Sequence, residues 1–195
     1  MTKQSGLSLI ETSIVLVIAA SVSAGVLAYY NHAKDEKKIN DAVKQIQVIA
    51  SGVSQLSRNA LTPIPSADDE TEAFNNYVQA LATLKGLGVD KTEKGKGLLV
   101  LSNGTRVALW RRTSLGANKY ELEAYPTSLS QCIKFASVNL GTLAWQPPSL
   151  GYFTTNEMLK TDGTIKSAVN VCEEVAKKGI KWDMTSVKVR YHLQF

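Results

Sequence analysis

The run from Leu7 to Tyr30 holds 24 residues, and Glu11 is its one charged side chain. No other stretch of the 195-residue chain limits the fold so strongly. As a helix it spans about 36 Å at ~1.5 Å per residue, enough to cross a hydrocarbon layer of ~30 Å. Met1-Thr-Lys-Gln-Ser-Gly6 precedes it, and Lys3 is a weak positive-inside marker that places this end in the cytoplasm. Glu11 is the anomaly. A carboxylate in the membrane costs about 2.5–3.5 kcal/mol on insertion scales, and such residues are functional candidates by default.

Three readings compete for this segment. A cleaved secretory signal peptide has small residues at Val22-Ser-Ala24 before Gly25, but Glu11 then stands where the apolar region should begin. A plain signal anchor leaves Glu11 without a task. A membrane helix that later leaves the bilayer to pack in a bundle gives it one, because a buried carboxylate is acceptable beside a cation. Ala19 to Gly25 is rich in small and weakly helix-forming residues. That suits either local loosening of the helix on assembly or close helix packing.

Beyond Tyr30 the apolar residues Ile39, Val43, Ile46, Ile49, Val53 and Leu56 recur at helical steps, and no proline occurs before Pro63. One helix is therefore predicted over 7–58, all apolar in residues 7–30 and amphipathic in 31–58. Leu61-Thr-Pro-Ile-Pro65 ends it, and Ser66 to Leu84 reads as a second helix. Gly88 to Gly97 reads as a polar, flexible loop. It fails the phosphate-loop pattern, because Asp90 stands where the first glycine belongs and Gly97 where the hydroxyl belongs. Leu98 to Trp110 reads as a hairpin turning at Asn103-Gly104 in a type I′ turn. Tyr120 to Tyr125 is a third strand by alternation, and Gly151 to Thr154 a short one. Ser128 to Leu140, ended by Gly141, and Thr164 to Lys178, ended by Gly179, read as helices. Val187 to Phe195 alternates apolar and polar residues, predicting a strand with one wet face that carries His192 at the surface.

The two cysteines, Cys132 and Cys172, are not in a CxxC pair, and the histidines are His32 and His192. A zinc site needs four ligands at characteristic spacings, which these do not offer. An exported chain permits a disulfide, so the pair reads as one bridge closing a loop of about 40 residues; two unconnected buried thiols are the alternative. The net charge of +5 is spread along the chain, without a dense basic stripe interleaved with aromatics. No Ser/His/Asp set or convincing carboxylate pair is legible, and Asp68-Asp-Glu70 reads as a solvated helix start. An anchored enzyme is accordingly disfavoured; no catalytic residue, metal, cofactor or nucleic-acid partner is expected.

Gly6-Leu-Ser-Leu-Ile-Glu11 followed by an apolar run resembles the leader junction of type IV prepilins, closest to the type IVb branch and its bundle-forming pilins. Ser130-Gln-Cys-Ile133 and Val138-Asn-Leu-Gly141 are similar to type IVb sequence around the first cysteine. The resemblance implies an α+β pilin fold: a long N-terminal helix, its second half packed on an antiparallel sheet, with a disulfide-bounded region near the C-terminus. It implies a leader at 1–6, a transmembrane and filament-core half-helix at 7–30, an amphipathic half at 31–58 and a globular domain at 59–195. It further implies cleavage between Gly6 and Leu7 by prepilin peptidase, N-methylation of Leu7, and Glu11 as partner of the N-terminal amine of a neighbouring subunit. The expected partners are identical subunits, the pilus assembly machinery, the inner membrane before assembly, and a host-cell or neighbouring-cell surface. The precursor belongs in the bacterial inner membrane and the assembled subunit in an extracellular pilus. A minor pilin or type II secretion pseudopilin, with a capping or DNA- or ligand-binding role, is the alternative.

Overall fold

The computed structural model describes residues 9–59, 72–83, 87–90, 98–111, 119–152, 164–184 and 186–195. The chain divides into two compact units, one up to Lys38 and one from Ile39 to Phe195. Helix α1 covers Leu9–Asn59, with Glu11 in its first turn and Arg58 in its last, charges that suit the helix dipole. From Ile39 onward α1 is amphipathic. Ile46, Ile49 and Val53 of the expected stripe are buried, whereas Val43 and Leu56 are only half-buried. Ala42 and Ala50 are also fully buried. The buried stripe is therefore centred on small residues, which let the helix axis approach the sheet.

Helix α2 is Glu72–Thr83, and it buries Val78 and Leu81. Residues 66–71, where this helix was expected to begin, lie outside the described residues. The sheet has six strands among the described residues: β1 Gly88–Asp90, β2 Leu98–Val100, β3 Arg106–Arg111, β4 Lys119–Tyr125, β5 Ala144–Tyr152 and β6 Val187–Gln194. Their spatial order is β1-β2-β3-β4-β6-β5, and every neighbouring pair is antiparallel. One face of the sheet meets α1: Leu99, Val107, Leu109, Leu122, Tyr191 and Leu193 share one apolar cluster with Ala42, Ile46, Ile49 and Val53. The expected α+β architecture is present, a long helix against an antiparallel sheet.

Several elements depart from their sequence reading. Gly88–Asp90 is not loop but strand, pairing Gly88 with Val100 and Asp90 with Leu98; residues 91–97 of that expected loop lie outside the described residues. The hairpin does not turn on Asn103-Gly104 as central pair. Gly104 N–H donates to Leu101 O at 2.9 Å and Leu101 N–H donates to Thr105 O at 2.9 Å, a three-residue loop with Gly104 at φ +84°. Helix α3 is Leu129–Ala136, shorter than expected. Ser137 Oγ donates to Ile133 O, and Asn139 Oδ1 accepts from Gly141 N–H, so short polar side chains draw the backbone out of the helix. Gly141, at φ +57°, opens a 3-10 turn rather than ending α3.

Strand β5 begins seven residues before the expected Gly151, at Ala144. Pro147-Pro148 hid it, since proline cannot donate to a ladder. It is tolerated because β5 is an edge strand whose register shifts between Ala144 and Gln146 and again between Gln146 and Ser149. Strand β6, by contrast, lies inside the sheet between β4 and β5. Its second face is wet at Gln194 alone: His192 is buried, and Lys188 and Arg190 are nearly so. The surface placement of His192 is corrected by that position, because residues on both flanking strands cover the imidazole.

Candidate functional site

Gly6 and Leu7 lie outside the described residues. Glu11 is exposed in the first turn of α1. Around and after it the apolar side chains are exposed throughout: Leu9 is 86% accessible and Tyr29 77%, with Ile14, Val15, Leu16, Val17, Ile18, Val22, Val26 and Leu27 between them. Of the described helices, α1 is the one long and apolar enough to cross a membrane. The serine hydroxyls of its apolar half turn back onto the helix backbone. Ser13 donates to Leu9 O, Ser21 to Ile18 O and Ser23 to Ala19 O, each at 2.8 Å.

Cys132 and Cys172 form the disulfide, closing a sequence separation of 40 residues. Their placement follows from two well-capped helices. Ser128 caps α3 by accepting from Gln131 N–H, and Thr164 caps α4 (Ile165–Lys177) by accepting from Ser167 N–H. Gly179, at φ +65°, follows α4. Both cysteines are fully buried, and α3 is tied to the sheet by Tyr191, whose hydroxyl donates to Phe135 O at 2.9 Å. Complete burial pushes the Tyr191 phenol well above its ordinary pKa.

The face of the sheet away from the α1 cluster holds buried charge. Glu123, 1% exposed, receives four donors. Lys188 Nζ lies 2.8 Å and Arg190 Nε 3.0 Å from Oε1, while Trp110 Nε1 and the Tyr125 hydroxyl each lie 2.9 Å from Oε2. Two cations and two neutral donors satisfy the carboxylate, the condition for leaving it buried. Burial, followed by the charge of Glu123, raises the Tyr125 phenol far above its ordinary range. Beside this cluster, His192 Nε2 lies 2.9 Å from Ser149 Oγ and Nδ1 lies 3.4 Å from Glu121 Oε1. The Trp145 ring and the imidazole form a T-shaped pair, and Lys119 Nζ stands 4.0 Å over the Trp145 ring centre.

Sequence reasoning missed this second face. A signal was present: Glu-x-Glu at 121–123 and Lys-x-Arg-x-His at 188–192 are complementary when the strands pair. The observed register sets Glu121 opposite His192 and Glu123 opposite Arg190. Nothing in either strand alone indicates that the two would be neighbours, because 61 residues separate Tyr125 from Val187.

Comparison with known proteins gives a consistent likeness. The chain is 42% identical over 53 residues to the major structural subunit of bundle-forming pilus of Escherichia coli O127:H6 (strain E2348/69 / EPEC) and, equally, to that of Escherichia coli O111:H-. The match spans 27% of this chain and 28% of each relative. A crystal structure of type IV b pilin from Salmonella typhi superposes with a TM-score of 0.52 at 14% identity, covering 79% of this chain and 98% of that one. No family model matches the chain. The fold is thus that of a type IVb pilin, and the likeness in sequence is confined to 53 residues, about a quarter of each relative's length.

Proposed function

We propose that this chain, with its type IVb pilin fold, is the structural subunit of a type IV pilus, polymerising with identical copies into an extracellular filament used in adhesion, aggregation or cell–cell contact. The observation that carries the reading is the exposure of the apolar half of α1. Such a surface is not stable in water and requires lipid before assembly or other copies of the same helix after it. In the precursor, residues 7–30 span the inner membrane. Prepilin peptidase removes residues 1–6 by cutting between Gly6 and Leu7, and the new Leu7 amine is methylated. Residues 31–58 attach the helix to the domain at 59–195, and the assembly machinery draws the subunit out of the bilayer.

In the filament the apolar half-helices bury against one another. Lipid contacts are exchanged for helix contacts, so the gain comes from close packing and from polar pairs between helices. Glu11 supplies such a pair by meeting the Leu7 amine of an adjacent subunit, which sets the axial register. Two measurements test this. Mass spectrometry of subunits sheared from cells should find a chain that begins at Leu7 and carries one added methyl group; a chain that retains Gly6 contradicts the processing. Glu11→Ala should abolish or sharply lower filament yield while the disulfide-bonded domain stays folded; normal yield contradicts the role of Glu11.

A further inference from the structure

The outer face of the sheet holds a hydroxyl beside an imidazole, and the assembly role proposed above does not call on it. Ser149, His192 and Glu121 come from three adjacent strands, β5, β6 and β4. Ser149 Oγ lies 2.9 Å from His192 Nε2, and Glu121 Oε1 lies 3.4 Å from Nδ1 on the far side of the ring. An ionised carboxylate offers acceptors alone. With the ring hydrogen on Nδ1, the nitrogen facing that carboxylate, the Nε2 lone pair is open to accept the Ser149 hydroxyl. Nδ1 is buried and makes no hydrogen bond of good geometry, so Glu121 acts on the ring by charge and position. The Trp145 ring packs in a T-shaped arrangement on the imidazole, with ring centres 5.7 Å apart.

Access differs across the three. Glu121 and His192 are 7% and 6% exposed, whereas Ser149 is half-buried on the edge strand and is the most accessible of the three. Pro147-Pro148 and the register shift before Ser149 interrupt the ladder at this point. A hydroxyl against an imidazole whose other nitrogen faces a carboxylate is the arrangement that activates serine towards acyl groups.

We propose that Ser149 is a modification site, acylated by activated esters with His192 as general base and Glu121 as the residue that positions the ring. Oγ attacks the ester carbonyl carbon, and its proton passes to His192 Nε2. The bond to the leaving alcohol breaks, and the alcohol departs with that proton. The product is one O-acyl serine per chain with His192 neutral again; no oxidant, reductant or metal takes part.

The test treats the full chain, purified in detergent, with p-nitrophenyl acetate and follows acetylation of each serine by peptide mass spectrometry. Exposed Ser130 is the internal reference. Ser149 should be acetylated faster than Ser130, the preference should vanish in denaturant, and His192→Gln should lower the Ser149 rate by about 100-fold, within the range of a general base, with the Ser130 rate unchanged. Equal rates at Ser149 and Ser130 in the folded wild-type chain overturn the proposal without recourse to a variant. So does a folded His192→Gln chain that acetylates Ser149 at the wild-type rate, which would leave the Ser149–His192 bond a structural contact only.

Discussion

The two halves of α1 belong to one helix and solve opposite problems. Leu9 to Tyr30 has apolar side chains on every side, exposed in the isolated chain. Ile39 to Val53 has an apolar stripe, and that stripe is covered by sheet residues of the same chain. A helix apolar all round needs a surrounding of lipid or other helices, while a helix with one apolar face needs one wall. The second half is self-sufficient within the chain; the first depends on what surrounds it.

That contrast can be broken by substitution, and the largest effect is expected away from α1. Glu123→Ala leaves Lys188 and Arg190 buried without their carboxylate. It should cost about 3–5 kcal/mol, read as a lowered urea midpoint for the domain. Ile46→Ala opens a cavity between α1 and the sheet, where Ile46 is fully buried, and should cost about 2–5 kcal/mol in the same measurement. Gly104→Ala has open space for its methyl group but keeps φ +84°. It should lose about 1–2 kcal/mol from backbone strain alone. Ile14→Ala, in the exposed half, should shift the domain's unfolding by less than about 0.5 kcal/mol while lowering filament yield. A domain destabilised as much by Ile14→Ala as by Ile46→Ala would erase the distinction between the halves.

How much was legible follows the range of the interactions. Ser128 and Thr164 marked the starts of α3 and α4, and Gly179 the end of α4, because caps act over three or four residues. The stripe from Ile39 to Val53 was legible for the same reason. The end of α3 was misread because Ser137 and Asn139 compete locally for the backbone, an effect weaker in sequence than a terminal glycine. β1 was missed because three residues make no periodic pattern, and only β2 beside them makes them a strand. β5 was shortened because two prolines argue against a strand until its edge position is known.

The sequence alone determined the division of α1 into an all-apolar and an amphipathic half, and it offered Cys132 and Cys172 as one possible bridge. These rest on neighbours along one helix or on the absence of competing partners. The tertiary structure decided the strand order. By placing β6 between β4 and β5 it decided the fate of Glu121, Glu123, Lys188, Arg190 and His192. Alternation says which side chains share a face of a strand. Whether that face meets water depends on which strands lie on either side, and those come from distant parts of the chain.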